Sequence, residues 1–239
     1  MNTVSVTNVS LPKRKADAHK GDFGRVLIIS GSECYTGAPS FASRGAVRSG
    51  AGLTFLGVPR DIYEIEAVKN DEAMVFPLPS DGAGKLSLAA LPEILARLKG
   101  CDALLIGPGL GISDDTFKIV YALIEESRVP VIVDADGISA VARNIDILDR
   151  VRCPVILTPH EGEFRRLGGD LSHGREKGAL CLAEKTGAVV VLKGSGTVSA
   201  FPDGRCFINT TGGPGMAKGG SGDVLAGMLA ALLPQLKEL

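Results

Sequence analysis

The chain has 239 residues, of which 45% are hydrophobic and 22% charged, and its formal net charge is −1. This length fits one large domain over residues 1–239, because a single hydrophobic core stops growing near about 250 residues. The composition excludes an intrinsically disordered chain, and the balanced charge predicts no nucleic-acid partner. The longest apolar run, residues 224–233, is too short to cross a bilayer, so we expect no membrane partner.

The N-terminus lacks a signal-peptide pattern, and the five cysteines show no CxxC spacing. Both observations favour a cytoplasmic protein without a disulfide framework or a zinc site. Residues 1–20 are polar and rich in lysine, which predicts a loosely held N-terminal arm.

Strand and helix patterns alternate along the chain. In chain order they predict a strand at 25–30, a helix at 38–49, a strand at 53–58, a helix at 88–99, a strand at 102–106, a helix at 114–127, strands at 129–133 and 154–158, a helix at 175–186 and a strand at 188–192. Pro202-Asp203-Gly204 predicts a hairpin between short strands at 197–201 and 205–209. The strands are continuous apolar runs, which is typical of parallel strands covered on both faces. The predicted fold is therefore α/β, a three-layer αβα arrangement around a mostly parallel sheet.

Polar or glycine-rich segments follow five of these strands. They are residues 31–38, 107–111, 134–136, 158–163 and 193–197. The carboxyl ends of parallel strands meet at one edge of a sheet, and ligands bind there. The sequence therefore predicts one site built from all five segments.

The strongest single motif is Gly219-Gly220-Ser221-Gly222-Asp223, which opens an apolar helix. Free backbone N–H groups and the helix dipole at such a start bind anions, and glycine lets phosphate oxygens approach the backbone. Asp223 would stand in the first turn beside this anion site. A plain N-terminal carboxylate favoured by the dipole is the alternative interpretation.

Two common nucleotide motifs are excluded by spacing. No stretch satisfies GxxxxGK followed by serine or threonine, so a P-loop is not predicted. Gly107, Gly109 and Gly111 do not fit GxGxxG, so a dinucleotide-binding Rossmann motif is not predicted either.

The remaining polar residues leave alternatives open. His160 and Glu163 could contact a ligand or lie near magnesium, or form a helix start capped by Thr158. Asp134 and Asp136 could hold magnesium or cap the following helix. Lys193 could face the anion site or be an ordinary exposed lysine. His19 and His173 lie in polar surroundings and are expected at the surface.

Taken together, these stretches resemble the NAD(P)H-hydrate dehydratase family, a branch of the ribokinase-like fold. The resemblance runs from about Lys20 to the C-terminus. Its motifs follow the family's order, at residues 20–26, 31–32, 35–38, 48–53, 72–75, 107–111, 134–136, 158–163, 193–195, 213–217 and 219–223. The GxGD element at 220–223 is shared with the wider sugar-kinase superfamily, so the combination carries the specificity.

The resemblance implies a hydro-lyase that repairs hydrated NADH and NADPH. Such enzymes dehydrate the S epimer at the expense of ADP or ATP, with Mg²⁺, and release phosphate and AMP or ADP. The ring hydroxyl is phosphorylated and phosphate then leaves, because hydroxide is a poor leaving group. ADP is the expected donor, and a homo-oligomer, a tetramer, is the expected assembly.

The resemblance also implies roles for individual residues. Asp223 would be the general base and, with four further residues, would bind the hydrated dinucleotide. These four are Ala38, Gly109, Gly111 and His160. The nucleotide would be bound by Lys193, Gly194, Ser195, Gly196, Thr197, Gly220, Ser221 and Gly222. Glu163 matches an acidic position that helps to organise magnesium in ribokinase-like relatives.

Two alternatives remain at this point: a kinase of a small hydroxylated metabolite, and a non-catalytic nucleotide-binding homologue. The kinase would keep its phosphorylated product instead of releasing phosphate. We also expect no epimerase domain before Lys20. The chain stops soon after the helix at 224–233, which indicates either a compact family member or a shortened one.

Overall fold

The computed structural model describes residues 2–4 and 13–236, and in it ten strands form one sheet. The strands are β1 (Asn2–Val4), β2 (Arg25–Ile29), β3 (Leu53–Pro59), β4 (Met74–Leu78), β5 (Ala103–Ile106), β6 (Val131–Val133), β7 (Val155–Leu157), β8 (Val189–Leu192), β9 (Val198–Ala200) and β10 (Cys206–Asn209). Their order across the sheet is β1-β10-β9-β8-β7-β6-β5-β2-β3-β4. Strands β2 to β8 run parallel, whereas β9 is antiparallel to both of its neighbours.

The described residues contain eight α-helices, of which the last follows β10 and the others lie between strands. They are α1 (Gly37–Arg48), α2 (Tyr63–Lys69), α3 (Leu91–Leu98), α4 (Asp114–Glu126), α5 (Asp136–Arg143), α6 (Glu161–Arg166), α7 (Arg175–Thr186) and α8 (Ser221–Leu232). Every strand and helix predicted from sequence is present, with ends shifted by a few residues. The predicted helix at 88–99 begins as a 3-10 turn, Leu88–Ala90, before α3. Sequence patterns missed β1, β4 and α2, and they gave α5 and α6 only as alternative interpretations of the residues that precede them.

The sheet is covered on both faces, as the continuous apolar strands predict. Along β2, Leu27 and Ile29 pack into one core with helices such as α3, α4 and α7. Val26 and Ile28 face the opposite core, which contains α1 and α8. Both sets of side chains are fully buried. The structure therefore has the predicted three layers.

Helices α1 and α8 pack unusually closely because glycine lies at their contact. A methyl group at Gly227 of α8 would overlap the carbonyl oxygen of Ala42 in α1. In return, a methyl group at Gly45 of α1 would come within 2.5 Å of the carbonyl oxygen of Val224. This contact fixes the position of the first turns of α8 relative to the sheet.

Other expectations concern membrane spans, cysteines, surface histidines and the N-terminal arm. None of the helices in residues 2–4 and 13–236 combines the length and hydrophobicity that a membrane span requires. All five cysteines are free, and His19 and His173 are exposed as expected. In the predicted arm, β1 pairs in parallel with β10, whereas residues 1 and 5–12 lie outside the described residues.

Candidate active site

The segments that follow β2, β5, β6, β7 and β8 meet at one edge of the sheet. Lateral hydrogen bonds join them: the Gly31 amide donates to the Pro108 carbonyl oxygen at 2.9 Å, and the Ser32 hydroxyl donates to Gly109 at 2.9 Å. On the other side, the Lys193 amide donates to the Pro159 carbonyl oxygen at 2.8 Å. The predicted convergence of these segments is thus seen in the structure.

Gly107 explains how the β5 loop lies so close to the β6 loop. Its φ of 127° is in the left-handed region, and a methyl group there would overlap the carbonyl oxygen of Asp134. The segment after β5 can therefore lie directly against the aspartates that follow β6.

A buried ion pair lies at the centre of this edge. The Lys193 ammonium is 2.6 Å from Asp134 Oδ1 and 3.7 Å from Glu163 Oε2. Thr158 also donates its hydroxyl to Asp134 Oδ1, at 2.7 Å. Asp134 is almost fully buried, and Lys193 is about one-fifth exposed, so Lys193 is not an ordinary surface lysine.

His160 and Glu163 form a helix start, the second of the two interpretations left open by the sequence. The Glu163 carboxylate accepts the His160 amide at 2.7 Å, and His160 Nδ1 accepts the Gly162 amide at 2.9 Å. His160 is therefore the cap of α6. The expectation that Thr158 caps this helix is wrong, because its hydroxyl is held by Asp134.

The His160 ring nevertheless remains at the site. The Nδ1 atom of His160 faces the helix, whereas its Nε2 atom lies 3.5 Å from Glu163 Oε1. The His160 side chain is 57% exposed. Burial raises the pKa of Glu163, and the nearby Lys193 ammonium opposes this shift. The structure thus leaves the imidazole accessible to a ligand while Glu163 is buried beneath it.

Asp134 and Asp136 do not cap the helix that follows them. Ala135 is the N-terminal cap of α5 and makes no side-chain bond, whereas Asp136 accepts the Gly111 amide at 2.9 Å. Burial raises the pKa of Asp136. Ala135 has a φ of 49°, a strained conformation of the kind that clusters at active sites.

Asp223 stands in the first turn of α8, facing this cluster. Gly220, the N-terminal cap, has a φ of 88°, and no side chain of residues 13–236 caps the amides of the first turn. A methyl group at Gly222 would lie 3.4 Å from Lys193 Nζ and 3.9 Å from Asp134 Oδ2, so the helix start adjoins the ion pair. The free amides, the dipole and the Lys193 ammonium together can hold a phosphate group.

The environment of Asp223 suits a general base. Burial and the neighbouring carboxylate of Asp134 raise the pKa of Asp223 to about 6, against the opposing effect of Lys193. Its carboxylate accepts no hydrogen bond from residues 13–236. Asp223 is therefore not a hydrogen-bonding cap, and its place in the first turn also agrees with the alternative of a carboxylate favoured by the dipole.

The remaining predicted residues extend the site in two directions. On one side, Ala38 lies against Gly109, whose added methyl group would be 2.8 Å from the Ala38 Cβ. On the other side, Ser195 is exposed, and the Thr197 hydroxyl donates to the Gly194 carbonyl oxygen at 2.9 Å. The Ser221 hydroxyl donates to Met216 at 2.8 Å, so it supports the loop before α8.

Two residues at this edge carry no signal in the sequence. Arg175, the first residue of α7, donates to the carbonyl oxygens of Leu192 and Lys193 at 3.0 and 3.1 Å and pairs with Glu161. It thereby orients the segment that carries Lys193. Lys85 contacts Gly111 from a turn that no sequence pattern singled out.

The donor set fits magnesium that arrives with a nucleotide. Mg²⁺ usually binds one or two carboxylates together with phosphate oxygens and water. Several carboxylates lie at this edge, Glu163 and Asp134 among them. Within residues 13–236, however, no group of three or more His, Cys, Asp or Glu side chains could hold a metal ion unaided.

Comparison with known proteins gives the family. A model of the NAD(P)H-hydrate dehydratase family matches residues 26–239. The ADP-dependent (S)-NAD(P)H-hydrate dehydratase of Bacillus subtilis is 37% identical over 228 residues, 94% of this chain and 77% of that protein. The bifunctional NAD(P)H-hydrate repair enzyme of Moorella thermoacetica is 44% identical over 229 residues. Those residues are 94% of this chain but 43% of that protein, so the chain spans less than half of the bifunctional relative.

A solved structure of a family member has the same fold as this chain. The ADP/ATP-dependent NAD(P)H-hydrate dehydratase of Bacillus subtilis, co-crystallised with ATP/Mg²⁺, matches with a TM-score of 0.79 at 33% identity. The match covers 95% of this chain and 78% of that one. The predicted ribokinase-like αβα fold is thereby confirmed. With its fold and most of its length matched in this way, the chain belongs to the NAD(P)H-hydrate dehydratase family.

Proposed function

We propose that the protein dehydrates the S epimer of hydrated NADH or NADPH, using ADP as phosphoryl donor. The products are the reduced dinucleotide, phosphate and AMP. ADP is preferred to ATP in this proposal because the relatives from Bacillus subtilis and Xanthomonas campestris are named ADP-dependent. The observation that carries the proposal is the placement of Asp223. Its carboxyl group has a raised pKa and lies at the N-terminus of α8, next to the uncapped amides of the first turn and to Lys193.

Asp223 would take the proton of the ring hydroxyl as the hydroxyl oxygen attacks the terminal phosphorus of ADP. The bond between that phosphorus and the bridging oxygen of ADP breaks, and AMP leaves. The phosphorylated ring then loses phosphate together with the C–O bonding electrons. A proton leaves the adjacent ring carbon, and the ring double bond returns.

The chain's own groups would supply the charge stabilisation that phosphoryl transfer needs. The amides of Gly220, Ser221 and Gly222 would face the transferring phosphate, with the Lys193 ammonium beside Gly222. Residues 194–197 would contact the rest of the nucleotide. Glu163 would help to hold Mg²⁺, which would neutralise phosphate charge when bound. Ala38, Gly109, Gly111 and His160 would bind the hydrated dinucleotide.

The raised pKa of Asp223 predicts a pH dependence. A base must be deprotonated, and the pKa of Asp223 is about 6, so kcat/KM should fall tenfold per pH unit below about pH 6. Above about pH 7 it should be level with respect to this group. The measurement is a pH profile of kcat/KM with saturating nucleotide. A profile that stays level down to pH 4.5 would contradict Asp223 as base.

One assay tests the function. The protein is incubated with hydrated NADH, MgCl₂ and either ADP or ATP, and the absorbance of reduced nicotinamide and the release of phosphate are followed together. The dehydratase yields both in equal amounts. A kinase that accepts the hydrate would consume nucleotide and yield a stable phosphorylated product without reduced nicotinamide, whereas a kinase of another small metabolite would change neither signal until that metabolite is added. A non-catalytic homologue would bind nucleotide with no change in either.

We further propose a cytoplasmic homo-oligomer, a tetramer. Support for assembly comes from exposed apolar side chains on α2 and at the start of β4: Val68 is 83% exposed, Ile65 45% and Met74 41%. Single exposed apolar residues are common, but neighbouring ones favour an interface. Light scattering on the purified chain tests the assembly, and a monomer at micromolar concentration would contradict it.

A further inference from the structure

A cavity adjoins the proposed dinucleotide site and has no role so far. Its volume is about 280 Å³, and its lining includes Tyr35, Ala83, Lys85, Gly111, Ile112 and Asp136. Ligand pockets commonly measure about 300–1,000 Å³, so this space suits a fragment of a dinucleotide rather than a whole one. Gly111 is one of the residues proposed to bind the substrate, which makes the cavity continuous with that site.

Lys85 supplies the positive charge of this cavity. The aliphatic carbons of its side chain pack on Gly111, within 3.0–3.2 Å of the position that a Gly111 methyl group would take. The side chain is half-buried, and among residues 13–236 its ammonium has no carboxylate within 4 Å. A half-buried cation that forms no ion pair with the described part of the chain, beside a ligand site, suits an anionic ligand group.

The turn that carries Lys85 is ordered by several bonds. Asp81 accepts the amides of Ala83 and Lys85, each at 2.9 Å, and Ser80 bridges to Leu86. The Glu33 amide donates to the Gly84 carbonyl oxygen at 3.0 Å, which ties the turn to the segment after β2. Lys85 is therefore held in position before any ligand arrives.

The other wall of the cavity suits a sugar. Asp136 uses Oδ2 to accept the Gly111 amide, which leaves Oδ1 to accept a ligand hydroxyl. The Tyr35 ring is 56% exposed and offers an apolar surface. A cation and a hydroxyl acceptor in one small cavity match a ribose that carries a phosphate.

We propose that Lys85 binds a phosphate group of the hydrated dinucleotide, an inference that rests on the proposed function. The anionic groups of that substrate are phosphates, so no other ligand group would neutralise the ammonium. The phosphate belongs either to the pyrophosphate, which NADH and NADPH hydrates share, or to the 2′-phosphate, which only NADPH hydrate carries. In the second case Lys85 sets the preference between the two cofactors.

The test compares Lys85→Met with Lys85→Arg. Methionine keeps an unbranched stem to pack on Gly111 but removes the charge, whereas arginine keeps the charge. Lys185→Met, an exposed lysine in the last turn of α7, is the matched control for loss of one positive charge. For each variant, KM is measured with NADH hydrate and with NADPH hydrate. The affinities for NADH and NADPH are measured separately by fluorescence at two salt concentrations.

Lys85→Met should weaken binding about tenfold or more, the usual effect of losing a charge-assisted hydrogen bond, with kcat little changed. Equal losses for both cofactors assign Lys85 to the pyrophosphate, and a loss confined to NADPH assigns it to the 2′-phosphate. The remaining affinity should depend less on salt, whereas Lys85→Arg and Lys185→Met should resemble the wild type.

Unchanged affinity for both cofactors in a folded Lys85→Met variant overturns the inference. The binding measurements need no turnover, so they separate two failures. If the wild type binds NADPH but does not restore hydrated NADPH, the proposed function fails while the Lys85 contact is still decided. If turnover is normal and Lys85→Met is unaffected, only the Lys85 contact fails.

Discussion

Asp223→Asn should lower kcat by at least about a hundredfold, the lower end of the usual contribution of a general base. The amide cannot accept the proton of the ring hydroxyl, and two neighbouring carboxylates are already bound to other groups. Asp134 is paired with Lys193, and Asp136 is bonded to the Gly111 amide. Nucleotide affinity should stay within a few-fold, because the amides of the first turn of α8 are unchanged. Single-turnover kinetics and nucleotide titration measure the two quantities.

The same variant should be at least as stable as the wild type, which separates lost chemistry from lost structure. The folded state raises the pKa of Asp223 to about 6, above its unfolded value of about 3.9. Its ionised form is therefore destabilising above pH 6, and this effect disappears as pH falls towards 4. The Tm advantage of Asp223→Asn should be largest near pH 8 and should shrink in acid. Near-normal turnover in the variant would show that the base is another group.

The strands of this fold could be predicted because each is a short apolar run between turns. The elements that were missed or left open lack such a signal for physical reasons. Helices α2 and α6 have seven and six residues, too few to show a helical repeat. Strand β4 contains Pro77, which argues against a central strand but is tolerated here because β4 lies at the edge of the sheet.

The sequence predicted where the site lies in the fold, but it did not predict which side chains contact each other there. Parallel topology alone brings the segments after five strands to one edge, so the location follows from the strand order. The bond between Lys193 and Asp134 joins residues 59 positions apart, and no local pattern specifies that pairing. For the same reason Arg175 was missed, since its partners are carbonyl oxygens of a distant segment.

The N-terminal cap of α6 shows where a local sequence preference fails. Thr158 precedes α6 and has the hydroxyl that caps often use, so a helix start capped by Thr158 was one of the alternatives for this segment. In the structure His160 provides the cap through Nδ1, and the Thr158 hydroxyl binds the buried Asp134. A buried carboxylate needs every available donor, and this demand outweighs the local preference of threonine.

Gly227→Ala should destabilise the protein by about 2 kcal/mol, although alanine is the better helix former. Helix propensity favours alanine by about 0.5–1 kcal/mol. The added methyl group, however, would overlap the Ala42 carbonyl oxygen and lie 3.0 Å from the Ala46 nitrogen. These neighbours are backbone atoms of α1, which cannot rotate away, and such overpacking costs about 1–3 kcal/mol or more. For a chain of this size, Tm should fall by roughly 4–8 °C.

The variant should also lose activity at temperatures where it is fully folded. The clash separates α8 from α1, and Asp223 lies one helical turn before Gly227 on α8. A displacement of about 1 Å at a catalytic group can lower turnover a hundredfold. Gly100→Ala is the matched control, because its added methyl group meets nothing closer than 3.8 Å, and that position lies outside the site. If Gly227→Ala matches Gly100→Ala in both Tm and kcat, the close approach of α1 and α8 does not position Asp223.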